Sequence, residues 1–228
     1  MIVTGVPYSS SRKTEIVDLA NGITCSNLAK FPFENYGAVG ANIDGTPVVC
    51  AGGSTQSKSC HRFTNGVWEK FASMKDRYLA AGVMYNKRLH VFGGWVDSSI
   101  SQTSETVNVD GSVSDGPELP TAVWQHSMTS INDTVSLLSG GGTNTHSTSA
   151  KTWYYNHDTE TFTSGPDLME GRNRFGSAMN VDKVTKAKIA VVTGGWGGYY
   201  MDSTELLING QWQIGTIQCR KQIYFDCL

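Results

Sequence analysis

The sequence has little charge, no long apolar run, and no histidines or cysteines at metal-ligand spacing. Charged residues are 17% of the 228 and the formal net charge is −2. That leaves no cationic excess to follow a nucleic-acid backbone, so nucleic-acid binding is not expected. No apolar stretch approaches the ~20 residues a membrane-spanning helix needs, so membrane insertion is not expected either. The opening Met1-Ile2-Val3-Thr4-Gly5 lacks the basic flank and apolar core of a signal peptide. His61, His90, His126, His146 and His157 form no H-x-x-x-H pair, and the five cysteines form no C-x-x-C. No metal or other cofactor is therefore expected.

Turn formers are abundant instead. There are 25 glycines, 23 serines and 22 threonines, while 39% of the residues are hydrophobic. That is too apolar for a disordered chain and too rich in turn formers and threonine for a helical bundle. An all-β chain is expected.

An internal repeat organises it. Three mostly apolar residues followed by a glycine pair recur at Gly52-Gly53, Gly93-Gly94, Gly140-Gly141 and Gly194-Gly195, with a degenerate copy at Gly5-Val6. A strand-like run precedes each full pair: Tyr36 to Ile43, Tyr78 to Tyr85, Gln125 to Ile131 and Phe175 to Val181. Turn signals join the two strands, at Asp44-Gly45, Asn86-Lys87 and Asn132-Asp133. After the glycines come a polar loop, a third strand, and a tight turn at Asn21-Gly22, Asn65-Gly66, Asp110-Gly111 or Asn209-Gly210. The fourth strand carries Trp68 or Trp212 two residues beyond the turn glycine. The glycine pairs and both tryptophans are expected to be structural: the glycines allow a sharp turn and close packing, and the indoles cover a seam between sheets.

This order resembles the kelch repeat over nearly the whole chain. The departures are Val6 and the absence of the tryptophan from three of five units. The resemblance implies a kelch-type β-propeller of about five four-stranded blades, the first incomplete, or a piece of a six-bladed ring. It would be a single domain over 1–228, with blades near 1–32, 33–75, 76–120, 121–169 and 170–219 and a tail at 220–228. Ile223-Tyr224-Phe225 in that tail would pair beside Ile2 to Thr4 and close the ring.

Catalytic readings find no support in the residues. Kelch-type folds include a copper-radical oxidase, which needs a Tyr joined to Cys, a second Tyr and two His; nothing in the sequence marks such a set. Sialidase-type S-x-D-x-G-x-x-W boxes are absent. Gly194-Gly195-Trp196-Gly197-Gly198 precedes a strand and not a helix, so it is not a phosphate cradle. The expected function is a non-enzymatic protein-interaction module that presents loops from one propeller face to a protein or peptide. The alternative is a carbohydrate-directed lectin or oxidase-like propeller. Candidate partner-binding residues lie on the loops after the second strands and on the links between blades: Arg77, Trp95, Trp124, Arg174, Trp196, Tyr199 and Tyr200. The resemblance implies that Arg at the start of a first strand contacts the partner, a place matched by Arg77 and Arg174.

Cys50 and Cys60 lie on adjacent predicted strands, within disulfide reach. The other reading makes Cys50 a small buried hydrophobe, as Val91 and Leu138 are expected to be. A bridge implies an oxidising, extracellular setting, and free thiols leave a cytoplasmic one.

Overall fold

Where the backbone is forced to positive φ, this chain turns, and those places delimit its strands. The computed structural model describes residues 2–4, 12–18, 21–25, 28–53, 58–143, 147–181 and 186–215. Among these residues all regular structure is β and no helix occurs. It follows that no helix is long and apolar enough to cross a membrane. The chain divides into two compact units, residues 1–122 and 123–228.

The first unit opens with a three-stranded sheet of β1 (Ile2–Thr4), β2 (Thr14–Asp18) and β3 (Ile23–Cys25). A four-stranded sheet follows, from β4 (Val39–Ile43), β5 (Thr46–Cys50), β6 (Ser59–Thr64) and β7 (Val67–Ser73). Beyond it, β8 (Arg77–Tyr78) leads into β9 (Ala81–Tyr85) and β10 (Arg88–Phe92). The next loop carries a small hairpin, β11 (Trp95–Val96) and β12 (Ser99–Ile100), before β13 (Ser104–Val107) and β14 (Val113–Asp115). Strands β9, β10, β13 and β14 make one sheet, and β8, β11 and β12 a smaller one.

The second unit holds two four-stranded sheets. One is β15 (Ser127–Ser130), β16 (Val135–Ser139), β17 (Thr152–Asn156) and β18 (Thr161–Ser164). The other is β19 (Gly176–Val181), β20 (Lys188–Thr193), β21 (Thr204–Ile208) and β22 (Gln211–Gly215). Every pairing is antiparallel between strands adjacent in the sheet, so each four-stranded sheet is a meander. The expected tail at 220–228, and with it the pairing of Ile223-Tyr224-Phe225, lies outside the described residues.

Hairpin turns follow the turn chemistry. Asp44-Gly45, Asn65-Gly66, Asn86-Lys87 and Asn209-Gly210 have positive φ at both residues, as a two-residue hairpin of this twist requires. Strands β5, β10 and β16 are buried over most of their length, and β20 over its middle, so these second strands show a buried run and not an alternation. Val48, Leu89, Val91 and Val107 form the core of the first unit, and Leu137, Leu168, Val192 and Trp212 that of the second. Each fully buried Leu or Val contributes roughly 1.5–3 kcal/mol. Trp68 Nε1 donates to Thr14 Oγ1 on the neighbouring sheet at 3.0 Å, and Trp212 Nε1 donates to the Pro166 carbonyl at 3.0 Å.

The first strands start later than the sequence suggests. Gly37, Leu79, Gln125 and Arg174 each have φ between 53° and 61°. That single left-handed residue bends the link away before the strand begins, so Tyr36, Tyr78 and Gln125 lie outside β4, β9 and β15. The glycine repeat also shifts in one sheet. Gly93, Gly140 and Gly194 follow the last residue of their strand, and each donates its N–H across to the third-strand side, to Thr103, Lys151 and Ser203. In the sheet of β4–β7 this place belongs to Ala51, at φ 62°, which donates to Ser59. Gly52 there corresponds to Gly94, Gly141 and Gly195, one residue out of the register that matching glycine pairs gives.

Candidate functional site

The links entering each sheet and the loops leaving each second strand meet in one recurrent arrangement. Two residues before the left-handed link residue stand Asn35, Arg77, Val123 and Arg172. At matching places in the register, on the third strands, stand His61, Glu105, Trp153 and Glu205.

In two of these four places the pair is ionic and buried. Arg77 is fully enclosed and Glu105 is 3% exposed. Arg77 Nε and Nη2 donate to Glu105 Oε2 at 3.2 and 3.0 Å, and its other donors reach the Gly93 carbonyl and Thr103. Glu105 Oε1 accepts the backbone N–H of Lys75 at 2.9 Å. Burial disfavours the charged guanidinium, and Glu105 pulls it back toward charge. Arg172 repeats the pattern, donating to Glu205 Oε1 at 2.6 Å, to the Gly194 carbonyl at 2.9 Å and to Ser203. Glu205 accepts from the backbone of Met169 and Glu170. These pairs fasten the link to the loop mouth. Arg77, expected to contact a partner, is thus a framework residue with no surface to offer. Its counterpart is Arg172, not Arg174: Arg174 is the left-handed residue, exposed, and its Nε donates to Gln125 Oε1 at 2.9 Å.

The sheet of β4–β7 is held differently. Cys50 and Cys60 are directly opposed and joined by a disulfide. The same rung elsewhere is Phe92 opposite Ser104, Ser139 opposite Thr152, and Thr193 hydrogen-bonded to Thr204 at 2.8 Å. His61 packs edge-on against Phe31 and Phe33, and burial lowers its pKa, with Lys70 adding to the effect.

Immediately above this framework, a second pair of positions carries aromatic residues in all four places. Link residues Tyr36, Tyr78, Trp124 and Asn173 sit opposite loop residues Gly53, Trp95, Gly142 and Trp196. Where the loop residue is glycine, the link ring fills its space. A Cβ at Gly53 would lie 2.1 Å from the Tyr36 ring, and one at Gly142 2.3 Å from Trp124 Nε1. Where the link residue is Asn173, the ring comes from Trp196. Tyr78 and Trp95 supply both, stacked with centroids 6.3 Å apart.

In the first unit Tyr36 is exposed and lies 6.0 Å from Tyr78. Burial raises the Tyr78 pKa, with Tyr36 and Asp76 adding to it. In the second unit the Trp196 and Tyr200 rings meet edge-on at 5.0 Å, and Tyr200 is 88% exposed. Tyr199 Oη donates to Glu170 Oε2 at 3.3 Å, and that carboxylate, with Asp202, holds the phenol above its ordinary pKa. The structure therefore places Trp95, Trp124, Trp196, Tyr199 and Tyr200 on these loops and links. Reading the sequence alone passed over Tyr36, Tyr78, Glu170 and the Arg–Glu framework. Among the described residues no group of three or more His, Cys, Asp or Glu is placed to hold a metal ion.

No family model matches the chain. No curated protein matches it either. Among solved structures, that of YjhT is similar, with a TM-score of 0.74 at 13% identity, covering 89% of this chain and 77% of that one. At that identity the likeness shows the fold alone. This chain has an all-β, propeller-like fold of antiparallel four-stranded sheets.

Proposed function

We propose that the chain is a kelch-type propeller acting as a non-enzymatic interaction module, whose loop face receives a protein or peptide. One observation carries this reading: in all four places the pair at the loop mouth includes an aromatic ring, on the link or on the loop. A core requirement would not put Tyr36 and Tyr200 in water, at 53% and 88% exposure. Tyr and Trp are the side chains that give interfaces large contact area at low entropic cost. The buried Arg–Glu pairs and the disulfide lie just beneath, so the rings stand on a rigid base.

The test is site-specific photocrosslinking from Tyr36 and, separately, from Tyr200, with mass spectrometry of the products. Covalent adducts to the same protein, lost when the neighbouring ring is removed (Tyr78→Ala or Trp196→Ala), are the expected result. Glycan-array binding with no protein adduct from either position would overturn the reading in favour of a lectin.

A further inference from the structure

The aromatic loop of the second unit is flanked by acid. Glu170 is exposed on the link, and Asp202 is exposed at the end of the loop that carries Trp196, Tyr199 and Tyr200. Among the described residues neither carboxylate has an ion-pair partner. Of the nearby cations, Arg172 is fully buried on Glu205, though its charge still reaches the Tyr199 phenol, and Arg174 donates to the Gln125 amide oxygen. The charge of Glu205 is likewise consumed within the framework. Glu170 acts most strongly on the Tyr199 phenol, with Asp202 adding to it and Arg172 opposing, and Tyr199 adjoins Tyr200 in the chain.

We propose that Trp196 and Tyr200, with the carboxylates of Glu170 and Asp202, seat the Lys or Arg side chain of a basic peptide. The edge-on packing of Trp196 and Tyr200 leaves the face of an almost fully exposed tyrosine open to a cation, and ring faces attract cations electrostatically. The carboxylates of Glu170, bonded to the Tyr199 hydroxyl, and of Asp202, two residues after Tyr200, supply the countercharge, whereas a neutral sugar stacking on the same ring would draw nothing from them. Tyr199, next to Tyr200 in the chain, is the positioning residue: its hydroxyl donates to the Glu170 carboxylate. This inference rests on the reading that the loop face binds a protein.

The experiment selects from a random dodecapeptide library displayed on phage, using the full chain as bait. Affinities of the selected peptides are then measured by fluorescence anisotropy. Enrichment of Lys and Arg is expected. Glu170→Gln combined with Asp202→Asn should weaken the selected peptides on the order of tenfold, and raised salt should weaken wild-type binding. Replacing the peptide's basic residues by Gln should remove the difference between wild type and the double variant. Because Tyr200 is almost wholly in solvent, Tyr200→Ala tests the ring without threatening the fold, which an unchanged melting temperature checks. If selected peptides are neutral or acidic, or the double variant stays within about twofold while Tyr200→Ala still weakens binding, the cation seat is overturned and the interaction module survives. Peptides insensitive to both sets of substitutions, or no peptide enriched while a glycan array is bound, overturn both.

Discussion

The sheets of β4–β7 and of β9, β10, β13 and β14 solve one problem by opposite means. At each loop mouth the chain leaves a second strand through two left-handed residues and must be pinned to the incoming link. In the later sheet the pin is electrostatic: Arg77 and Glu105, both buried, with every charged oxygen and most of the guanidinium hydrogen-bonded. In the earlier sheet the ionic pair is replaced by Asn35 and His61, and a disulfide occupies the neighbouring rung. A buried ion pair is strong only while whole; a cross-link acts chiefly by restricting the unfolded chain. The two mouths should therefore fail differently, and each can be probed alone.

The largest effect is expected from Arg77→Ala. It leaves the Glu105 carboxylate buried without its countercharge, at a cost of about 3–5 kcal/mol in urea unfolding. Arg77→Met combined with Glu105→Leu should recover most of that loss, because the cost lies in the orphaned charge and not in the missing contact. A cost below about 1 kcal/mol for Arg77→Ala would show that the pair does not hold the mouth. Since Arg77 is enclosed, any loss of partner binding in this variant should track loss of fold.

Next comes the disulfide. It closes a separation of ten residues, for which chain entropy gives about 2–3 kcal/mol. Cys50→Thr with Cys60→Thr copies the Thr193–Thr204 rung of another sheet, so the native geometry has a precedent within the same chain. The expected loss in urea unfolding is the full entropic amount. Non-reducing peptide mapping should show Cys50 and Cys60 peptides linked, and free thiols at both would remove this half of the comparison.

The pH response should separate the mouths further. His61 stands where two other sheets have Glu105 and Glu205, and burial lowers its pKa from the usual 6.5. Its folded form binds the proton less readily than the unfolded chain does. Stability from this site is thus fully present above about pH 6.5 and is lost as the pH falls below it. In the second unit His157, lowered to about 4 mainly by burial, adds a loss of the same sign between pH 6.5 and 4. Both should appear as a falling denaturation midpoint on acidification. His61→Gln should flatten its share of the slope, and an unchanged slope would show that His61 does not titrate with folding.

What could be read from the sequence is what local chemistry decides. Asn-Gly and Asp-Gly turns, glycine pairs and the outer tryptophans carry their conformational reasons with them, and the all-β, propeller-like fold follows from their spacing. The glycine register in the sheet of β4–β7 was not legible, because Ala51 takes a left-handed position where the eye looks for glycine. Arg77 looked like a surface residue because its partner is 28 positions away on β13. Arg174 displaced Arg172 in the reading for a related cause: a left-handed residue breaks the alternation that normally separates inward from outward side chains. Cys50 and Cys60 were legible as a pair because adjacent strands bring them together. Tyr36 and Tyr78 were missed as site residues because they were assigned to first strands that begin only after the left-handed residue has turned the chain.

The smallest effect belongs to Ala51 itself. Its left-handed backbone disfavours any residue with a Cβ, by roughly 1–2 kcal/mol, yet the methyl is buried in the core of the first unit. Ala51→Gly relieves the first term. It also forfeits about 0.8 kcal/mol of methyl burial and gives the unfolded chain up to about 1 kcal/mol of extra entropy. These contributions oppose one another, so the net change should stay within about 1 kcal/mol. Paired with the Cys50→Thr and Cys60→Thr substitutions, it makes this mouth chemically like that of β20 and β21. If the disulfide is what holds Ala51 in its strained conformation, Ala51→Gly should recover part of the loss in the cysteine-free protein and little in the bridged one. Equal effects in both backgrounds, measured as unfolding free energies in urea, would show that strand pairing fixes Ala51 without help from the bridge.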